Sequence, residues 1–397
     1  MKSIDQANLK GNKVLVRVDY NVPLGENFEV TDITRIQRTF DTVTKITKDG
    51  GIAILMSHFG RPKGVVNDSL SLRHIISAIS GVFNQEVIFL GDVLGGDVLD
   101  KVNALKPGDI GLLENLRFHP EEEKGDLNFA KEIARLGDIY VNDAFGTAHR
   151  EHASTATIAR LFPQKAYAGY LLYNEAMHLD KILKESQKPF TAIIGGSKVS
   201  SKINILNNLL TKVDNLIIAG GMSYTFLSAM GVEIGDSIWE PDMIEVAKDI
   251  IKKAHLLGVN IYLPIDNICA DKFDPEANIF ITTENNIPQK WMGMDIGPKT
   301  IQRFANVIID SNSILWNGPV GVFEFDKFSN GTKSIALVVS STTIAGAFSL
   351  VGGGDSIAAL AKYKLTDYIS YISTGGGAML EYLEGIELPG IKALNEN

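Results

Sequence analysis

Short apolar, β-branched runs alternate along the whole chain with segments whose apolar residues recur at helical spacing. In the first part the runs that predict strands are Val14–Asp19, Ile52–Ser57, Val87–Leu90, Ile110–Glu114 and Ile139–Asn142. A second series is Thr191–Ile194, Asn215–Ala219, Asn260–Pro264, Ile314–Trp316, Ala347–Val351 and Tyr368–Ser373. Ile36, Phe40, Val43 and Ile46 share one predicted helix face, as do Ile203, Leu206, Leu210 and Val213. Strand–helix alternation of this kind predicts parallel sheets covered by helices on both faces. No fixed-period repeat and no low-complexity segment interrupts it. A long polar helical pattern, Tyr173 to Ser186, precedes the new strand at Thr191 and marks the natural break. The fold class expected is α/β: two doubly wound, Rossmann-like parallel-sheet domains joined by a long helix and a hinge.

Length supports this division, since 397 residues exceed one ordinary core and suit two. A hydrophobic content of 45% with 21% charged residues is that of a globular chain rather than a disordered one. The net charge of -9 gives no general affinity for nucleic acid or anionic membrane, so neither is expected as a partner. An anionic ligand must instead be drawn in by a local basic cluster. The single cysteine, Cys269, excludes an internal disulfide and fits a reducing compartment. Met1 to Val16 lacks the apolar core of a signal peptide. The uncharged stretch Ser334 to Gly354 is rich in Ser, Thr and Gly, and reads as a helix end, a buried strand and a glycine loop rather than a span. A cytoplasmic location is expected.

Nine of the ten arginines lie in the first 160 residues; Arg303 alone comes later, and lysine shows no such bias. Arginine's planar fork binds carboxylate and phosphate bidentately, whereas lysine acts as a point charge. Drift in surface Arg/Lys usage would also produce an asymmetry, but it would not choose these places. Arg17 lies in the first strand, ahead of Asp19 and Asn21; Arg61, Arg117 and Arg150 each follow a strand end, and His58 lies beside them. Ligands of open parallel sheets bind beyond the carboxyl ends of strands. An anion site on the first domain follows, with Arg35, opening the next helix, able to point at it. Arg38, Arg73, Arg135 and Arg160 read as ordinary helix-face residues.

No GxxxxGK[ST] pattern and no GxGxxG after a strand is present. Four other glycine clusters each follow a candidate strand: Gly195-Gly196-Ser197-Lys198, Gly220-Gly221-Met222, Gly352-Gly353-Gly354-Asp355-Ser356 and Gly375-Gly376-Gly377. Free backbone N–H groups and a helix dipole at such places suit phosphate; one cluster alone would be ordinary turn packing. Lys198 and Lys202, four apart, are expected in the first turns of one helix, where their charges repel and oppose the dipole. A bound polyphosphate would relieve both. Asp355 could be an N-cap, a magnesium-associated carboxylate, or both. Glu324, beyond Trp316-Asn317-Gly318-Pro319, could accept from ribose hydroxyls or be an exposed loop acid. His119 and His149 lack metal-ligand spacing and, with Cys269, read as structural.

These segments resemble the phosphoglycerate kinase family along essentially the whole chain. Arg17 to Pro23 is similar to its RVDFNVP, Ser57 to Pro62 to its SHLGRP, and Glu114 to Phe118 to its ENLRF. Asn142 to Arg150 is similar to its NDAFGxxHR; GGSKVSSK, GGM, WNGPVGVFE, GGGDS and STGGGA follow in order. The resemblance implies that Asp19, Asn21, Arg35, His58, Arg61, Arg117 and Arg150 hold 3-phosphoglycerate or 1,3-bisphosphoglycerate. It implies a nucleotide site at Gly195, Lys198, Lys202, Gly220, Asn317, Glu324, Gly352, Gly353, Gly354, Asp355 and Ser356, with ADP or ATP accompanied by Mg2+ at Asp355. Arg35, Lys198, Gly375 and Gly376 would surround the transferred group. It further implies a monomer whose tail returns to the first domain, giving domains of residues 1–170 plus 385–397 and 171–384. Ser201 and Met379 depart from the family's frequent Asp and Ser. A two-domain NAD-dependent dehydrogenase shares the architecture, but the missing GxGxxG counts against it. A non-catalytic nucleotide-binding relative is disfavoured by the full set of basic residues.

Overall fold

The computed structural model describes residues 1–396; Asn397, the last residue of the expected returning tail, lies outside the described residues. The chain divides into two compact units, Met1–Met177 with Glu387–Asn397 and His178–Ile386, and the division falls inside the helix Tyr170–Lys184.

The first unit holds β1 (Lys13–Arg17), β2 (Ile52–Met56), β3 (Val87–Phe89), β4 (Ile110–Leu112), β5 (Ile139–Asn142) and β6 (Ala166–Ala168). They form one parallel sheet in the order β3-β4-β2-β1-β5-β6. Every residue of β2 is buried, as a central parallel strand covered on both faces requires. The order reverses between β1 and β5, so a crevice opens at the ends of these two strands.

The second unit contributes β7 (Phe190–Ile194), β8 (Asn215–Ile218), β9 (Asn260–Tyr262), β10 (Asn267–Ala270), β11 (Ile279–Ile281), β12 (Met292–Ile296), β13 (Ser313–Asn317), β14 (Phe348–Gly352) and β15 (Tyr371–Ser373). Six of them make a second parallel sheet, β15-β14-β13-β7-β8-β9, whose order reverses between β7 and β13. The other three form a small antiparallel sheet, β11-β10-β12. Neither this sheet nor β6 was among the expected strands.

One expected helix is split. Thr34–Gln37 and Phe40–Lys48 are separate because the Thr39 hydroxyl, donating to the Ile36 carbonyl, competes for the backbone between them. Ile36, Val43 and Ile46 are buried as expected, but Phe40 is exposed. At the chain's end the helix Pro389–Asn395 packs within the first unit. Gly390 N donates to the Ala148 carbonyl at 2.8 Å, and Arg160 Nε meets Glu396 Oε2 at 3.0 Å. Among the described residues no helix is long and apolar enough to cross a membrane.

Candidate functional site

In the first unit the neighbouring strands β4, β2, β1 and β5 deliver basic residues to one sheet edge. Arg17 ends β1, His58 and Arg61 follow β2, Arg117 follows β4, and Arg150 follows β5. Arg35, on the helix Thr34–Gln37, places Nη1 2.5 Å from Asp19 Oδ2. Asn21 Oδ1 accepts from Gly60 N at 2.9 Å, which ties the loop after β1 to that after β2. Arg117 Nη1 donates to the Gly60 carbonyl at 3.0 Å. Its Nε lies 3.2 Å from Glu123 Oε1 without the alignment of a hydrogen bond, so that contact is an ion pair only. Arg61 and Arg150 are exposed and have no ion-pair partner among the described residues.

Positive charge therefore exceeds its counter-charge here, and the neighbouring imidazoles register it. Burial first, then Arg17, Arg117, Arg35 and His152, hold His58 well below its ordinary range. His152 is brought down to about 4, by burial and then by Arg17 and Arg117. Both rings are neutral near pH 7. Arg17 itself is fully buried, so it lies beneath this edge rather than on it.

In the second unit the glycine clusters follow β7, β8, β14 and β15, and the Asn317-Gly318-Pro319 turn follows β13. Five adjacent strand ends thus present backbone to one edge. Packing at the switch point explains two of the glycines. A Cβ on Gly195 would collide with the Gly318 and Pro319 carbonyls, and Gly220, at φ +69°, abuts Gly196 and Pro319. Asn317 is buried and donates Nδ2 to the Gly352 carbonyl at 2.9 Å, while its Oδ1 accepts from Lys202 Nζ at 2.5 Å. Buried Ser356 accepts from Gly318 N at 2.7 Å, linking the turn to the helix Gly354–Lys362. Gly376, at φ +53°, precedes the helix Gly377–Leu383.

Two expectations need correction. Lys198 and Lys202 do not share a helix: Lys202 is the N-cap of Ile203–Leu209, and Lys198 lies in the loop before it. The loop is held open because Glu240 accepts from Ser200 N at 3.0 Å and from Ser200 Oγ at 2.5 Å. Lys198 is exposed, whereas burial lowers the Lys202 ammonium from its ordinary range, against the pull of Asp355 and Glu384. Asp355 is not an N-cap either; Gly353 holds that position, and no side chain caps the helix.

Gly196, Ser197, Gly220, Gly221, Glu324 and Asp355 all line a cavity of about 580 Å³. Its remaining walls are largely apolar: Tyr224, Ile238, Phe273, Met292, Met294, Val322 and Phe325. Such a slot suits a planar base. These walls escaped sequence reasoning because apolar residues carry no chemical signature. The alternation Met292-Gly293-Met294 was the available signal, since it places two methionines on one face of a strand. Among the described residues no cluster of His, Cys, Asp or Glu could by itself hold a metal. Asp355 alone suits Mg2+, which takes one or two carboxylates and completes its shell from substrate phosphates and water.

A parallel-sheet protein with an excess of arginine on one unit and a backbone cradle beside an apolar slot on the other is built for phosphate-rich small molecules. Comparison with known proteins fixes the particular family. The family model described as "Phosphoglycerate kinase" matches residues 4–386. The phosphoglycerate kinase of Porphyromonas gingivalis is 49% identical over 416 residues, covering 99% of each chain. That of Leptospira biflexa is 50% identical over 391 residues, covering 98% of this chain and 97% of the relative. The solved phosphoglycerate kinase of Coxiella burnetii superposes with a TM-score of 0.93 at 40% identity, covering 99% of this chain and 98% of that one. The Pyrococcus horikoshii structure gives 0.82 at 28%, covering 100% and 98%. The chain belongs to the phosphoglycerate kinase family. It is an enzyme of the kinase class, and its family's reaction is ATP-forming phosphoryl transfer in glycolysis.

Proposed function

We propose that the chain catalyses reversible transfer of a phosphoryl group, 1,3-bisphosphoglycerate + ADP = 3-phosphoglycerate + ATP, with Mg2+, acting as a cytoplasmic monomer. The acid would be held by Asp19, Asn21, Arg35, His58, Arg61, Arg117 and Arg150. The nucleotide would occupy the cavity of the second unit, its base against the apolar walls, its ribose at Glu324 and its phosphates along Gly195, Gly220, Gly352 to Gly354, Lys198 and Lys202. The observation that carries this reading is the pair of unpartnered cations, Arg61 and Arg150, at the same sheet edge as Arg35 and Arg117. Exposed guanidinium groups that no carboxylate neutralises draw in a polyanion and can hold it bidentately.

Phosphoryl transfer has a loose transition state with charge spread over the equatorial oxygens, so alignment and electrostatics are the protein's task. Arg35, exposed Lys198 and the backbone at Gly375 and Gly376 would surround the moving group. Asp355 would hold Mg2+ through the nucleotide, and the ion would neutralise phosphate charge. Because the two substrates belong to different units, hinge closure would bring them together and expel water that hydrolyses acyl phosphates. ATP formation from 1,3-bisphosphoglycerate and ADP, followed with and without Mg2+, tests this. Robust formation only with Mg2+ is expected; no formation with Mg2+ present would refute it.

A further inference from the structure

Beneath the arginine-lined edge lies a buried polar chain. Glu122 is fully buried, and both its oxygens accept from one residue. Ser154 N donates to Oε2 at 2.9 Å, and Ser154 Oγ donates to Oε1 at 2.6 Å. With its hydrogen committed to Glu122, the Ser154 hydroxyl can only accept on its other side, where Arg17 Nε donates at 2.8 Å. Arg17 gives Nη1 to the Val18 carbonyl, and its Nη2 lies 3.4 Å from His58 Nδ1. A guanidinium has donors and no acceptor, so His58 Nδ1 must accept. The ring's proton then sits on Nε2.

One competing group favours the opposite tautomer. Asp19 Oδ1 lies 3.8 Å from His58 Nδ1, too far for a hydrogen bond, and its other oxygen is taken by Arg35. A second proton on the ring is opposed first by burial and then by the charges of Arg17, Arg117 and Arg35, which keep His58 neutral. His152 Nδ1, 3.8 Å from Glu122 Oε1, is likewise beyond bonding reach. His58 Nε2 has no hydrogen-bond partner among the described residues.

We propose that Glu122, acting through Ser154 and Arg17, fixes His58 as the Nε2–H tautomer, so that the acid-binding edge presents a preset donor to an anionic oxygen. The inference rests on the reading of this edge as the 3-phosphoglycerate site. Glu122, Ser154 and Arg17 are fully buried beneath the edge and act through His58, as positioning residues. The placement of a carboxylate under an anion site, which would otherwise weaken binding, follows from this role. It orients the Ser154 hydroxyl, and the hydroxyl orients the guanidinium.

The Glu122→Gln variant isolates the effect because it keeps shape while removing one acceptor. Ser154 donates to each of the two oxygens, and an amide keeps an acceptor at only one of those two positions. Either the Ser154 N–H then faces an N–H, or its hydroxyl turns to accept from the amide as well as from Arg17 Nε–H and its own hydrogen loses the acceptor that had oriented it. The experiment is long-range 1H–15N correlation on the full chain with labelled histidine, joined to steady-state kinetics. In the wild type, His58 Nδ1 should be unprotonated and Nε2 protonated at neutral pH. In Glu122→Gln this pattern should be lost, and KM for 3-phosphoglycerate should rise about tenfold while KM for ATP stays within about twofold. Ser154→Ala should act similarly, and the double variant should be no worse than either single one, as members of one chain behave.

A wild-type His58 protonated on Nδ1, or on both nitrogens, would overturn the proposal. So would wild-type KM for the acid in both single variants. If titration shows that the wild type does not bind 3-phosphoglycerate while the tautomer is as stated, the acid-site reading fails and the hydrogen-bond chain stands without its ligand.

Discussion

Lys202 Nζ lies 2.5 Å from Asn317 Oδ1, and Asn317 Nδ2 passes the link to the Gly352 carbonyl at 2.9 Å. One half-buried cation thereby joins the segment after β7 to the ends of β13 and β14, and it does so on an amide rather than a carboxylate. A lysine placed this way is poised for a phosphate, which would offer the stronger, charge-assisted partner. Replacing Lys202 with Met should change folding stability by less than about 1 kcal/mol, because relief from desolvation offsets the lost hydrogen bond. Nucleotide affinity should fall about 10- to 100-fold, the range of one hydrogen bond to a charged group. Thermal unfolding and ADP titration of the same variant measure the two effects.

Gly195 and Gly196 are adjacent, yet their substitution should differ. A Cβ at Gly195 meets the Pro319 and Gly318 carbonyls, so Gly195→Ala must push apart the two strands of the switch point. A loss of about 2–4 kcal/mol is expected, as for overpacking of a closed site, together with loss of nucleotide binding. Gly196, at φ +109°, has open space around it, and Gly196→Ala carries only backbone strain, of order 1–3 kcal/mol. Denaturation midpoints and ADP titrations of the pair separate collision from strain, since only Gly195→Ala should abolish the site.

Asp295 on β12 supports the wall of the nucleotide cavity. Its buried carboxyl accepts from Gly331 N at 2.6 Å and Ile296 N at 2.9 Å, and burial pushes it up to about 8 despite those bonds. The folded protein therefore holds a proton that the unfolded chain has released once pH exceeds about 4. The resulting stability is fully present below the unfolded value and is lost as pH rises through about 8. Asp295→Asn should flatten this part of the profile. Urea midpoints measured across that interval should fall less steeply in the variant than in the wild type.

The fold was legible where strands are apolar on both faces. Each of the eleven anticipated runs is a strand, with ends shifted by up to three residues. β10 to β12 escaped because Asn267 and Asp295 interrupt their apolar character and the exposed Ile279-Phe280-Ile281 lies on an edge. The site's charged and glycine residues were legible from type and place, since strand ends are where parallel sheets bind ligands. What sequence could not give was the environment of those residues. Lys198 and Lys202 look equivalent at a spacing of four, but tertiary bonds from Glu240 and Asn317 make one exposed and the other half-buried. Glu122 lies in a run of three glutamates that reads as a solvated face, and its burial against Ser154 is set by tertiary packing alone.

The division of labour between the two units is tested most directly by titrating 3-phosphoglycerate and ADP separately into Arg150→Ala, Arg61→Ala and Lys202→Met. Each arginine variant should lose at least about tenfold in affinity for the acid while binding ADP as the wild type does, and Lys202→Met should show the reverse. Equal loss of both ligands in an arginine variant, or unchanged acid binding in both of them, would contradict it.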